Sequence, residues 1–324
     1  MSRPEMLGRR PPTVVGWVEE IHRFPVKSMQ GGALREVALR RSGVTGDRSW
    51  ALRDLETDEI TSAKRFPRIL ECKANYTGEG GDEVEITLPD GARIRSSDPD
   101  VSRRISEALR HPLRLEPLAP ASDRRHYRLR ELRTPARLRK LLAVRKGGPL
   151  PDISLLPFSK LWTLFRYATP PGTYVDTCPV HIVTVESMSA LAGMTGLPIQ
   201  SARFRPNFVV RLASSGREFD ELAWAGRTLR VGGAELGVEA GTFRCGMPAH
   251  AQGPSVPKAP AVVRTIYERL GTTFGISATV AREGTVRVGD EITLSASDDR
   301  AGESLPGRLV RTLKRRMTDA YLSL

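Results

Sequence analysis

Arg203-Phe-Arg-Pro-Asn-Phe-Val-Val-Arg211 and, further along, Gly241-Thr-Phe-Arg-Cys-Gly-Met-Pro248 are the two strings on which the reading of this chain turns. The first ends in an apolar run, Phe208–Leu212, with the length and β-branched content of a strand. Ahead of that run, Arg-x-Pro-Asn makes a rigid turn that carries a guanidinium fork and an amide. Read as an extended segment, its two-residue period puts Arg203 and Arg205 on one side. In the second string Arg244 flanks Cys245, and a neighbouring positive charge favours the thiolate. These residue types predict a soft-metal ligand beside donors for an anionic, hydrogen-bonding cofactor.

Outward from these strings the pattern is one of short strands. Val14–Ile21, Val37–Arg40, Trp50–Asp54, Ile69–Tyr76 and Val84–Leu88 are each bounded by Gly, Asp or Pro. Leu88-Pro-Asp-Gly-Ala-Arg-Ile94 reads as a hairpin, and Asp100–Leu109 as a helix stopped by Pro112. Closer to the two strings, Val180–Val185 reads as a buried strand and Glu186–Ala192 as a short helix. Thr228–Val231, Ala234–Glu239, Ala278–Ala281 and Glu291–Leu294 read as further strands. Many short strands with few helices predict a mainly β fold with peripheral helices, either a barrel or a distorted sandwich. Arg137–Val144 has the makings of one short helix, and Gly147-Gly148-Pro149 is the linker candidate, dividing residues 14–150 from 151–295. In the tail, residues 296–324, Leu305, Leu309, Leu313, Met317, Tyr321 and Leu324 recur at helical spacing, as on an amphipathic helix that packs onto its own barrel or, alternatively, docks on a membrane surface or a partner.

The two strings resemble those of the MOSC family, the C-terminal domain of molybdenum cofactor sulfurases, which also includes stand-alone reductases such as the amidoxime-reducing proteins. Phe24-Pro-Val-Lys-Ser-Met29 and Gly43-Val-Thr-Gly-Asp-Arg-Ser-Trp-Ala-Leu52 are similar to the family's N-terminal module. Gly284-Thr-Val-Arg-Val-Gly-Asp-Glu-Ile-Thr-Leu294 is similar to its closing strand. The resemblance implies two β-rich modules, an N-terminal β-barrel-like module and a MOSC domain, with a molybdenum–molybdopterin cofactor in the cleft between them. It implies Cys245 as the metal ligand and hence a catalytic residue. It implies Arg205 and Asn207 as contacts to the pterin and its phosphate, with Arg203 and Arg244 beside them. Lys27 and Ser28 fall at the phosphate end, Arg48 at a further anion contact, and Thr184 and Ser187 in a loop approaching the pterin. Many amidoxime-reducing relatives carry Thr-Val-Asp-Pro after the cysteine, whereas this chain reads Gly246-Met-Pro-Ala-His-Ala-Gln-Gly253. His250 is then the nearest titratable group for proton delivery, with an ordinary pKa of about 6.5. Tyr174, Asp176 and His181 are candidates for the mouth of the site, while Cys72 and Cys178 read as packing residues.

Composition sets the outer bounds. At 324 residues with 40% hydrophobic content, one or two domains with a sizeable core are expected. Three cysteines argue against a disulfide framework and for a reducing, cytoplasmic setting, and the lack of Cys-x-x-Cys argues against a zinc ribbon or cysteine-bound cluster. Met1-Ser-Arg-Pro-Glu5 opens without an apolar signal core, and no apolar run is long enough for a transmembrane segment. The net charge of +13 concentrates between Asp123 and Lys146, where ten Lys/Arg face two acids. Without aromatic interleaving beyond Tyr127 or a nucleic-acid-binding motif, that stretch reads as a solvated face or a dock for an acidic electron-transfer partner rather than for nucleic acid.

The function expected from the resemblance is reduction of small N-hydroxylated or N-oxygenated substrates at molybdenum. The chain has no flavin, haem or ferredoxin signature, so electrons are expected from a separate ferredoxin- or cytochrome-type protein. The alternative is a sulfur carrier that handles the cofactor through a Cys245 persulfide. Pyridoxal phosphate enters only at the family level, through fused cysteine desulfurases, and no such lyase domain is seen in the chain. A third reading is a basic-surface protein without catalysis, whose binding to nucleic acid is strongly salt-dependent.

Overall fold

The computed structural model describes residues 12–78, 83–131, 134, 162–163, 165–213 and 218–295. Strand β1 (Thr13–Arg23) pairs antiparallel with β12 (Phe208–Leu212) on one side and with β17 (Glu291–Leu294) on the other. From β12 the ladder runs through β11 (Val180–Thr184), β15 (Thr273–Arg282), β14 (Ala234–Phe243) and β13 (Thr228–Val231) to β17 and back to β1. Seven strands thus close into a barrel, and β2 (Gly32–Leu34) extends β1 on the outside. Closure leaves no free strand edge within the ring.

Side-chain alternation sorts neighbouring residues into two cores. Phe208, Val210 and Leu212 fill the barrel interior with Val18, Ile21, Ile182 and Ile276. Val209 and Val183 point the other way, into a cluster under helices α3 (Val185–Thr195) and α4 (Pro260–Arg269) with Leu191, Val262 and Ile266. Gly275 changes the phase within β15: its positive φ of 70° sends Phe274 into the outer cluster while Ile276 and Ala278 stay inside. A Cβ there would lie 2.5 Å from the Ile182 carbonyl oxygen, so only glycine fits.

The N-terminal half builds small sheets. One orders β10 (Leu113–Pro117), β5 (Trp50–Asp54) and β6 (Glu59–Ile60); another orders β7 (Lys73–Tyr76), β8 (Val84–Thr87) and β9 (Arg93–Arg95). With helix α1 (Val101–Leu109) they enclose Val26, Met29, Leu52, Ile86, Ile105 and Leu113. Residues 24–30 thread between the sheets, bridging Val26 to Trp50 and Gln30 to Lys73. A third sheet joins β3 (Glu36–Arg40) and β4 (Gly43–Val44) to β16 (Gly284–Arg287) from the far end of the chain.

The expected mainly β fold with a barrel and peripheral helices is the one observed. The expected strand Ile69–Tyr76 is instead a 3-10 helix, Pro67–Glu71, followed by β7, because Pro67 has no N–H for a ladder and suits a first helical turn. Helix α1 ends at Arg110 in the left-handed conformation, before Pro112 is reached. Since β1 and β3 pair with C-terminal strands, residues 14–150 and 151–295 share sheets. The linker, the Arg137–Val144 helix and the amphipathic tail lie outside the described residues. Among the described residues no helix is long and apolar enough to cross a membrane.

Candidate functional site

The segment that begins the first string is not extended. Ser201–Phe204 forms a 3-10 helix, and Arg205 ends it in the left-handed region with φ 54°. The right-handed helical region is disfavoured before Pro206, so the 3-10 helix does not continue past Arg205. The expected alignment of Arg203 and Arg205 on one side is thereby lost. Arg203 is fully buried and donates to the carbonyl oxygens of Pro248 and Pro257, each at 2.8 Å, and to Gln200 Oε1 at 3.2 Å. Arg205 is buried elsewhere: its Nη1 donates to the Met29 carbonyl, and its guanidinium lies 4.3 Å from the centroid of the Phe24 ring. Arg205 Nη2 is buried with no hydrogen-bond partner. Asn207 accepts from His181 N at 3.1 Å through Oδ1, and its carbonyl accepts from His22 N at 2.8 Å, joining β11, β12 and β1.

The N-terminal half supplies the facing cations. Arg48, at φ 50°, pairs with Asp47, reaches the Arg205 carbonyl at 3.4 Å and lies 5.3 Å from the Phe24 centroid. Asp47 also accepts from Phe24 N at 2.7 Å, tying its turn to the segment that carries Lys27. Lys27 is buried and donates to the Tyr174 carbonyl at 2.8 Å and to Asp176 Oδ1 at 2.7 Å. The other Asp176 oxygen takes Lys64 Nζ at 2.6 Å. Ser28 Oγ accepts from Ala63 N at 3.0 Å, fastening the turn that bears Lys64 and leaving the hydroxyl proton to donate.

The electrostatics follow from crowding. Burial pushes Lys27 down to about 8 despite Asp176 beside it. Burial, and then the like charge of Arg48, pushes Arg205 down to about 9. Burial would raise the Asp176 carboxyl, but Lys27 and Lys64 outweigh it and hold the group well below the usual carboxylate range. Among the described residues, Lys27 and Lys64 pair with Asp176 and Arg48 pairs with Asp47, while Arg205 lies beside the like charge of Arg48, an arrangement that an incoming anion would relieve.

Arg244 enters from the barrel. Its Nε and Nη2 donate to the Phe274 carbonyl at 2.9 and 2.7 Å, and Nη1 reaches the Phe204 carbonyl at 3.4 Å. Nη2 also meets His181 Nε2. As an acceptor there, His181 is neutral with its proton assigned to Nδ1, and burial followed by the charges of Arg244 and Arg48 keeps it well below its ordinary pKa. Burial pushes Arg244 itself down to about 9, with Cys245 acting to raise it. The guanidinium expected to serve the thiol is therefore committed mainly to fixing the end of β14 against β15 and β11. Tyr267 Oη on α4 donates to the Arg244 carbonyl at 3.2 Å, in the peptide that leads into Cys245. Cys245 is half-buried. His250 closes the 3-10 turn Met247–Ala249, and burial, with Lys258 next, lowers its pKa.

Thr184 and Ser187 are not part of this cluster. Thr184 caps α3 by accepting from Ser187 N, and both hydroxyls donate to the buried Glu221 carboxylate, at 3.1 and 2.7 Å. Thr184 stands about 10 Å along β11 from His181 at roughly 3.3 Å per residue. Of the predicted residues, Lys27, Ser28, Arg48, Arg205, Asn207 and Arg244 come together; Arg203 is adjacent but turned away. Lys64 and Tyr267 were missed. Lys64 sits in a turn with no motif of its own. Tyr267 lies on α4, which was legible: Pro260 suits a first helical turn, and Val262, Val263, Ile266 and Leu270 follow at helical spacing.

The fold is a closed β-barrel on which an N-terminal β module sets Lys27 and Arg48 near Arg205, with a half-buried cysteine following Arg244 in the chain. The chain matches the MOSC N-terminal beta barrel domain over residues 15–116 and the MOSC domain over residues 170–293. It belongs to the MOSC family, whose domains occur in molybdenum cofactor-binding proteins. Among solved structures it is similar to the YUAD protein from Bacillus subtilis, with 15% identity over 89% of this chain and 99% of that one and a TM-score of 0.41. It is also similar to YiiM from Geobacillus stearothermophilus, with 20% identity over 45% of this chain and 67% of that one and a TM-score of 0.29. No curated protein matches the chain.

Proposed function

We propose that this chain binds the molybdenum cofactor and reduces small N-hydroxylated or N-oxygenated compounds with electrons from a separate redox protein. The observation that carries the reading is the unpartnered, buried Arg205 Nη2 set among Lys27, Arg48 and Lys64. A buried guanidinium with a donor to spare fits a phosphate, and a half-buried thiol fits a soft metal. Lys27, Ser28, Arg48, Arg205 and Asn207 would hold the phosphate and pterin end, and Cys245 would ligate the metal. When bound, the cofactor supplies the two-electron chemistry that converts an N–O bond to N–H and water. Arg244, anchored to Phe274 and His181, fixes the backbone that aims Cys245. His250 follows the cysteine in the chain and is the candidate for relaying a proton to the leaving oxygen; because burial lowers its pKa, the neutral ring would first take up that proton from solvent and then pass it on.

An anaerobic assay tests the reaction, using an N-hydroxylated amidine, a reduced viologen as artificial donor and protein loaded with molybdenum. Turnover in the wild type and its loss in Cys245→Ser is expected. Absence of turnover in fully loaded wild type would remove the substrate class, and retained turnover in the variant would remove Cys245 from the metal.

A further inference from the structure

We propose that Arg203 is a positioning residue that sets the loop leading away from Cys245, and that it makes no contact with the bound group. The inference rests on the reading of Cys245 as the reactive centre. Arg203 is among the largest fully buried side chains; both terminal nitrogens are engaged by carbonyl and amide oxygens, which leaves the inner Nε as its one donor nitrogen without a partner among the described residues. Its two terminal nitrogens are used by carbonyls on opposite limbs of one loop, Pro248 just after Cys245 and Pro257 just before α4.

The loop answers from its middle. Gln252, also buried, donates Nε2 to the Arg203 carbonyl at 2.9 Å. The limbs are further tied by Ala259 N to the Ala249 carbonyl and by Gln252 N to the Val256 carbonyl, each at 2.9 Å. At the tip, Gly253 (φ 72°) packs so closely on Gln30 that a Cβ would lie 2.7 Å from its Nε2. Gln30 in turn donates Nε2 to the Leu70 carbonyl at 2.8 Å and ends the segment that carries Lys27 and Ser28. The loop therefore runs from Cys245 to the anion-binding segment of the other module, with Arg203 holding both limbs. A planar fork does this and an ammonium does not, because two carbonyls must be met at fixed angles.

Arg203→Lys and Gln252→Ala in the full chain test this without any molybdenum. The first readout is the rate of iodoacetamide alkylation, resolved by peptide for Cys245 and for Cys72, which is buried in the N-terminal core. The second is the thermal stabilisation given by inorganic phosphate. Expected in both variants is alkylation of Cys245 about tenfold faster, with Cys72 and the phosphate effect unchanged, as local opening of one loop requires. Equal acceleration at Cys72 would mean a merely structural role and would overturn the proposal. An unchanged Cys245 rate with a lost phosphate effect in Arg203→Lys would make Arg203 a direct anion ligand and overturn it too. Neither result would bear on whether the chain carries molybdenum.

Discussion

At the scale of single residues, Arg205 shows binding and stability pulling apart. Its guanidinium is buried beside the like charge of Arg48, which costs the folded state, and it offers one donor that the protein does not use. Arg205→Gln is expected to lower cofactor occupancy through loss of a charge-assisted hydrogen bond, about 1.5–3 kcal/mol, without lowering the melting temperature. Metal content and a thermal melt of the same sample check both halves. His126 makes a pH-dependent case. Arg53 donates to its Nδ1 at 3.2 Å, and the Tyr174 hydroxyl donates to the Pro117 carbonyl at 2.8 Å, so His126 Nε2 carries the proton shared with Tyr174 Oη at 2.6 Å. Burial lowers its pKa, with Glu116 and Asp123 opposing and Arg53 and Arg114 assisting. A folded pKa below the unfolded value of about 6.5 means that the unfolded chain takes up the proton more readily. Stability present above that pH is therefore lost as pH falls. Melting temperatures between neutral pH and pH 5.5 should decline, and decline less in His126→Gln; an identical slope in the variant would contradict the assignment. Because the Tyr174 carbonyl holds Lys27, this network also supports the site from behind.

At the scale of elements, two substitutions separate support from binding. Gly275→Ala forces a left-handed φ on a residue whose Cβ would also lie 3.0 Å from His181 Nε2. A loss of about 1–3 kcal/mol in urea denaturation is expected. Thr184→Ala removes the α3 cap and a partner of Glu221, so roughly 1 kcal/mol of stability should go while cofactor occupancy holds. A fall in occupancy with no loss of stability would restore Thr184 to the cofactor. Strands such as Phe208–Leu212 were legible because their alternation serves two cores at once. The turn at Arg203–Arg205 was not, since its 3-10 and left-handed geometry is set by Pro206 and by carbonyls of a loop far along the chain. Thr184 and Ser187 were misplaced for a related reason: a capping hydroxyl and a ligand hydroxyl look alike in sequence, and only Glu221 tells them apart. Lys27, Arg48 and Arg205, which the fold brings together, could be singled out because each sits in a string with its own turn chemistry.

At the scale of the whole molecule, the two modules share sheets. β1 gives Val18 and Ile21 to the barrel core and closes the ring between β12 and β17, while β3 pairs with β16. A fragment of residues 170–293 lacks the closing strand and leaves two long edges open. It is expected to show no cooperative thermal transition, and a cooperative melt would contradict the shared-barrel architecture. The cluster of cations depends on the same interleaving, because Lys27 and Arg48 come from one half and Arg205 and Arg244 from the other. The most direct measurement of the central claim is molybdenum and pterin content of wild type and Cys245→Ser purified from a cofactor-competent host. Near-stoichiometric metal and pterin in the wild type, with metal reduced or labile in the variant, is the predicted result. Protein free of both, from cells that load another molybdenum enzyme, would contradict it.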